Sequence, residues 1–457
     1  MVKKFLIRTT FLCIFIIIPF IIFFKIKLFN LASRPNIIFI TLDSLRADHL
    51  GCYGYKRNTS SNIDLLSTKG VKFTQAITQS SWTTSSISSL ITSLYPNHEF
   101  IEQGYISKHQ PNLIRILKNS GYSTVLFSGN FPIISITFED IKIDFDIFNV
   151  ISDKADKILQ LAIDWLEKLR KTPFFLWIYL EEPHWPYTPL SNYYNDFITD
   201  NLYVHKNISI SKDDGIHNEY YSFGVIPKCV AEHGITDTAY YIAKYDGEIK
   251  FADEQIGKLL DLLHKKNIEN NTIIILFSDH GESLGEHNFY FNHSHYLYEE
   301  LIRVPLLVIF PKKIPKNKII QQPVRLIDIY PTVLDIVGIK NNRDIGGRSF
   351  LPLIMGETDY HIFYTFSETA FWPSPRCIRT EEWKLIYNRK TKNYELYNLR
   401  EDPKELNNLI NERSEIVNSL RQQLKHWSQN AKTNLLYKKD NLSEDERVKL
   451  KSLGYIQ

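Results

Sequence analysis

Two short runs constrain this chain more than any other feature. "NIIFITLD" (36–43) and "TIIILFSDHG" (272–281) are apolar and rich in β-branched residues, and each runs into an aspartate. Such short, unbroken apolar runs are predicted strands buried on both faces, because a half-exposed strand would alternate with polar residues. "TPFFLWIYLEEPH" (172–184) and "VPLLVIFP" (304–311) read the same way. Among them, "DKADKILQLAIDWLEKLRK" and "YDGEIKFADEQIGKLLDLLHKKN" repeat apolar residues at helical spacing, the stripe of an amphipathic helix. Strands alternating with helices predict an α/β fold, with a large, mostly parallel central sheet flanked by helices. Ligands of such sheets sit at the carboxyl ends of the strands. Asp43, His184 and Asp279 each follow a predicted strand, so all three are expected at one edge.

The texture changes near residue 345. "RTEEWKLIYNRKTKNYELYNLREDP" has two alternating runs around a charged turn, the pattern of a hairpin. Residues 345–457 are therefore expected to form a smaller C-terminal α+β subdomain beside a catalytic domain at 34–344. The Tyr-, Asn- and Asp-rich stretch 188–235 reads as an irregular insertion or lid. Its Tyr193, Tyr194, Tyr203, Tyr220 and Tyr221 suit either sugar stacking or plain packing.

From Phe5 to Phe24 the only charged residue is Arg8. As a helix that run is roughly 30 Å long, one hydrocarbon thickness. Lysines precede and follow it and no small-residue cleavage site appears, so residues 1–33 are expected to be an uncleaved signal-anchor with one transmembrane helix. The expected location is the membrane, single-pass, with the catalytic domain extracytoplasmic. A net charge of +3 leaves no footprint for nucleic acid. The four cysteines have no metal-ligand spacing and no disulfide framework.

The chemistry concentrates around Asp279-His280. One carboxylate and one imidazole form a borderline metal pair, to which Asp43 adds a second carboxylate. "GESLGEHNFYFNHSH" then crowds Glu282, Glu286, His287, His293 and His295 together. A divalent cation at that edge would give meaning to "SWTTSSISSLITSLYP" (81–96), since metal coordination turns a weak hydroxyl nucleophile into a competent one.

With these motifs in place the chain resembles the sulfatase family of the alkaline phosphatase superfamily. "RPNIIFITLDSLRADHLGCYGY", "SWTTSSISSLITSLYP", "EEPHWPY", "FSDHGESLGEH", "YEELIRVPLLVIFP" and "VRLIDIYPTVLDIVGI" follow in the family's order. The resemblance implies metal binding by Asp43, Thr83, Asp279 and His280, with Thr83 as nucleophile. It places His184 beside the transferred group or the leaving oxygen, and His293 against the substrate's anionic oxygens. Arg46 is a weaker candidate, with a bridge to Asp48 as the structural reading. Ser85 and Ser86 are the alternative nucleophiles.

The departures are informative. The family's nucleophile is a Cys or Ser converted to formylglycine, an aldehyde that Thr83 cannot give. Its Pro and Arg are Ser85 and Ile87, its second Asp is Ser44, and its Asp-Asn ligand pair is Asp279-His280. An imidazole in place of an oxygen donor favours Mn²⁺ or Zn²⁺, with Ca²⁺ less suited. A threonyl sulfate lacks the exit that a formylglycine hydrate has, whereas a threonyl phosphate can be attacked by water or an alcohol. The site also looks like that of membrane-anchored phosphoglycerol and phosphoethanolamine transferases. The expected function is thus a membrane-anchored, metal-dependent sulfatase-family hydrolase of sulfate or phosphate esters, on glycans, lipids or small molecules. The alternatives are a phosphotransferase or phosphodiesterase, and a catalytically silent protein that binds anionic glycans or lipids. Metal content separates the last from the others.

Overall fold

The computed structural model describes residues 34–430, apart from 97–105, 107–109, 111, 130–132, 170–172, 213–221, 342, 344, 358–361, 363 and 370–374. The N-terminal anchor expected over 1–33 lies outside the described residues, as do Tyr220 and Tyr221. Among the described residues no helix is long and apolar enough to cross a membrane.

The strands are β1 (Asn36–Leu42), β2 (Val71–Ile77), β3 (Ser123–Ser128), β4 (Ile147–Val150), β5 (Phe174–Leu180), β6 (Thr272–Phe277), β7 (Ser283–Leu284), β8 (Tyr290–Asn292), β9 (Arg303–Ile309), β10 (Lys318–Ile320) and β11 (Val324–Arg325). The central sheet is nine-stranded in the order β10-β2-β9-β6-β1-β5-β3-β4, with β11 also pairing β2. β1 runs parallel to β5 and β6 at the middle of the sheet. β9 is antiparallel to both β2 and β6, so the sheet is mixed, and β2 regains the direction of β1 on the far side of β9.

Both faces of the sheet are covered. Ile37 and Phe39 of β1 join one apolar cluster, while Ile38, Ile40 and Leu42 join the other, as the two-residue repeat of a strand requires. Phe39 stands edge-on to Phe175 and Phe277, at 5.1 and 5.6 Å between ring centroids. The helices read from periodicity are Ala155–Glu167 and Thr238–Lys265, and both bury their apolar stripes in the second cluster.

β12 (Thr365–Glu368), β13 (Arg376–Arg379), β14 (Trp383–Tyr387) and β15 (Tyr394–Asn398) form a separate four-stranded antiparallel sheet. The expected hairpin is β14–β15, with Leu385 opposite Leu396, and the helix Ser414–Asn430 packs Leu420 and Leu424 against that sheet. Residues 351–355 still belong to the large domain's core, through Leu353 and Ile354. Within 188–235 the helix Ser191–Ile198 is formed. Three of its tyrosines are engaged internally: Tyr193 with Glu254, Tyr194 with Tyr240, and Tyr203 with Tyr55.

Candidate active site

Sheet register builds the site. Thr41 of β1 is level with Phe277 of β6 and with Tyr179 of β5. Two residues beyond those partners, Asp43 and Asp279 therefore emerge side by side at the carboxyl edge. β2 points the same way, so the chain after it delivers Thr83 to the same edge, as the first residue of the helix Thr83–Thr92.

Asp43, Asp279 and His280 are fully buried, and one ligand atom from each lies within 4.8 Å of the others. His280 Nε2 is 3.5 Å from Asp43 Oδ1 and 3.4 Å from Asp279 Oδ2. His280 Nδ1–H donates to the Gly281 carbonyl at 2.9 Å, which leaves Nε2 as an acceptor facing the carboxylates. Thr83 Oγ1 donates to that Nε2 at 3.1 Å. Thr83 is fully buried too, so the candidate nucleophile and the candidate ligands share one enclosed point. Gly281 follows His280 because a Cβ there would lie 1.9 Å from the Glu300 carbonyl oxygen.

Three groups that sequence reasoning gave no role hold this set. Tyr179 donates its hydroxyl to Asp279 Oδ2 at 2.9 Å. Ser278 Oγ bonds the Leu42 and His280 carbonyls, stitching the ends of β1 and β6. Ser44, in the left-handed region at φ 61°, directs its Oγ to Asp43 and its amide to Asp279. The available signal for Tyr179 was a phenol within an otherwise apolar strand, level with the threonine two residues before Asp43.

Burial, and then the neighbouring Asp279, push the Asp43 carboxyl well up, with His280 opposing. Glu282 is likewise pushed up by burial and by Asp43. Buried carboxylates without a cation among them are costly, so the donor set fits a divalent cation in both chemistry and charge. Arg46 does not supply that charge. Its guanidinium is held by Asp48 and Glu286, each at 2.8 Å, and by the Glu282 carbonyl, which is the structural reading of that residue.

Three imidazoles lead outward from the acids. The rings of His280 and His293 are 4.3 Å apart, and those of His293 and His184 are 5.0 Å apart. His293 Nδ1 faces Glu282 at 3.3 Å, and Trp82 lies against its ring at 5.8 Å. His184 is half-buried and donates from Nδ1 to the Trp185 carbonyl at 2.6 Å. Burial pulls both outer histidines down, and for His293 its histidine neighbours add to the effect. The neutral pair therefore gains a proton most readily when an anion arrives.

Of the other hydroxyls, Ser86 donates to the Asp279 main-chain carbonyl at 2.7 Å and sits 2.7 Å from Thr78 Oγ1. Its position braces the chain at Asp279. Among Thr83, Ser85 and Ser86, only Thr83 bonds a side chain of the Asp43–Asp279–His280 set among the described residues.

The loop carrying His184 contains another perturbed acid. Burial, with Glu248 adding, pushes Glu182 up to about 8, and its Oε1 accepts the Ala155 amide at 2.9 Å. The folded state therefore keeps a proton that the unfolded state releases above the ordinary value of 4.5. Stability from this group is complete below that pH and is lost as pH rises through about 8. Glu182→Gln keeps the acceptor without the charge. Its melting temperature is expected to match the parent's near pH 4.5 and to exceed it by a few degrees at pH 8. A gap that does not change with pH would show that Glu182 does not titrate in that window.

Comparison with known proteins supplies the family. Residues 35–339 match the sulfatase family, and residues 285–430 match the C-terminal region of N-sulphoglucosamine sulphohydrolase. An uncharacterised sulfatase of Escherichia coli (strain K12), YidJ, is 26% identical over 428 residues, covering 83% of this chain and 84% of its own. A solved complex with the substrate D-glucosamine-2-N,6-O-disulfate superimposes with a TM-score of 0.73 at 22% identity, covering 88% of this chain and 99% of the other. The phosphonate monoester hydrolase of Agrobacterium radiobacter does so with a TM-score of 0.71 at 19% identity, covering 90% and 99%. The structural likenesses establish the fold; the family match, which spans most of the chain, establishes that it belongs to the sulfatase family and is an ester hydrolase.

Proposed function

We propose that this hydrolase cleaves phosphate or sulfate esters by covalent catalysis at Thr83, in a metal-dependent reaction and with phosphate esters preferred. The observation that carries the reading is the hydrogen bond from Thr83 Oγ1 to His280 Nε2 at 3.1 Å, inside the buried carboxylate set. Asp43, Asp279, His280 and Thr83 would hold the ion, and their mixed oxygen and nitrogen donors suit Mn²⁺ or Zn²⁺ better than Ca²⁺. When bound, such an ion supplies positive charge that favours the Thr83 alkoxide and offsets charge on the ester oxygens.

The protein's own groups do the rest. The helix Thr83–Thr92 has no side-chain cap, so its first amides and its dipole favour an anionic oxygen beside Thr83. An ester anion drawn against His293 and His184 raises their proton affinity, and His184 takes up a proton. Thr83 gives up its hydroxyl proton to water, and its Oγ1 then bonds to phosphorus or sulfur as the bond to the leaving oxygen breaks, that oxygen receiving the His184 proton. A water next attacks the threonyl ester, returning a proton to His184 and releasing Thr83 as its oxyanion. The second half favours phosphate, because the water can attack phosphorus directly, whereas the threonyl sulfate lacks the carbonyl-forming exit of an aldehyde hydrate.

The sulfatase relatives and the glucosamine disulfate complex support a sulfated glycan as the competing substrate class, and the phosphonate monoester hydrolase supports a phosphorus centre. The apolar run 5–24 supports an anchored, extracytoplasmic enzyme. The test is turnover by the detergent-solubilised full chain with Mn²⁺, Zn²⁺ or Ca²⁺, on an aryl phosphate, an aryl phosphodiester and an aryl sulfate. Phosphoester cleavage at least about tenfold above sulfate cleavage is expected. Sulfate cleavage alone would overturn the preference, and no turnover together with no bound metal would favour the silent binding protein.

A further inference from the structure

A second group of ligand-type side chains lies away from Thr83, where the large domain meets the C-terminal subdomain. His287, on the loop between β7 and β8, Glu300, in the helix Glu299–Ile302, and Glu405, beyond β15, each offer one ligand atom within 4.8 Å of the other two. Nothing in the ester hydrolysis described above uses them. His287 Nε2 and Glu300 Oε1 are 3.9 Å apart, too far for a hydrogen bond but suitable for two atoms sharing one ion. The Glu300 side chain is 8% exposed. Glu300 Oε1 and His287 Nε2 are buried atoms that accept no hydrogen bond, although such atoms are nearly always satisfied in folded proteins, while Glu405 Oε1 has the Lys384 ammonium at 2.9 Å.

Charge accounting isolates the same place. Arg46 is committed to Asp48 and Glu286. Arg379 is committed to Glu299, and Lys384 is shared between Glu299 and Glu405. Among the described residues Glu300 pairs with no lysine or arginine. Burial, with Glu286 and Glu405 adding, pushes its carboxyl well up, the response of an acid whose counter-charge is missing. The His287 ring is stacked on Tyr298 at 3.6 Å, which fixes its plane. Glu405 is fixed by the Glu299 amide, at 2.6 Å from its Oε2, and by Lys384, at 2.9 Å from its Oε1, which holds its carboxylate in place beside the other two residues.

We propose that His287, Glu300 and Glu405 bind a second divalent cation, Zn²⁺ or Mn²⁺, that ties the C-terminal subdomain to the loop carrying the active-site residues. One imidazole and two carboxylates match such ions in donor type and number. The mechanical link is short, since the Gly281 amide, next to His280, bonds the Leu301 carbonyl at 2.9 Å, one residue from Glu300. The site extends the proposed function without depending on it, and its role is structural.

The experiment is metal counting on the full chain after chelation and equilibration with Zn²⁺, for wild type, Asp43→Asn, Glu300→Gln and the double variant. Two ions per chain are expected for wild type, one for each single variant and none for the double variant. Zinc-edge anomalous diffraction from wild-type crystals is expected to show a peak among His287, Glu300 and Glu405, which keeps the test independent of how Glu300→Gln folds. Unchanged metal content in Glu300→Gln, or no anomalous peak there, would overturn the proposal even if the Thr83 chemistry stands.

Discussion

Thr83→Ala is expected to lower turnover of any cleaved ester by at least about a thousandfold, with the fold retained. The change removes one hydroxyl and one methyl group from a buried position and no main-chain hydrogen bond, so a folding defect would not explain the loss. Ser86→Ala is the matched control. It removes bonds to Thr78 and to the Asp279 carbonyl, at about 1–3 kcal/mol of stability, and leaves the Thr83 hydroxyl in place. Its turnover, measured below its melting transition, is expected within about tenfold of the parent. The reverse pattern, with turnover surviving in Thr83→Ala and lost in Ser86→Ala, would move the nucleophile three residues along the helix. Thr83→Ser should retain measurable activity, since it keeps the oxygen and loses only the methyl group that restricts its rotamer.

Asp43→Asn is expected to have two effects of opposite sign. Turnover should fall by about three orders of magnitude or more together with one equivalent of bound metal, because the ligand set loses a charged donor. The metal-free protein, in contrast, should melt a few degrees higher. In that state Asp43 and Asp279 are two buried acids with no cation between them, and burial and like charge already push the Asp43 carboxyl up. An amide of the same shape removes that repulsion. Calorimetry of the chelated variant and parent decides the point. A lower melting temperature for the metal-free variant would mean that the Asp43 carboxylate is satisfied by protein groups and has no need of an ion.

Much of this site was legible because it rests on strands. An unbroken apolar run fixes the strand, and the acid after it fixes the edge, so Asp43 and Asp279 could be placed together from sequence. His280 followed as the neighbour of Asp279. The direction of β9 was not legible, since "VPLLVIFP" is equally apolar either way and only its partners determine its sense. Tyr179 was hidden for a related reason: in a strand buried on both faces no alternation marks which residue meets the ligand edge. Arg46 was ambiguous, because a guanidinium near a carboxylate edge serves an anion or a bridge equally well until Asp48 and Glu286 are seen around it. The His287–Glu300–Glu405 group was least accessible, since it joins a loop, a single-turn helix and a subdomain over one hundred residues apart.

The position of β1 has a consequence for how the protein is made. It is the first described strand to leave the ribosome, yet it becomes the middle of the sheet, and its partners β5 and β6 begin at Phe174 and Thr272. At ordinary synthesis rates of roughly 5–20 residues per second, the wait for β6 is on the order of ten to fifty seconds. During that time a fully apolar strand has unpaired edges on both sides. Half of the ester-cleaving centre is thus translated long before the other half, and its strand stays open to wrong pairing until the later strands arrive.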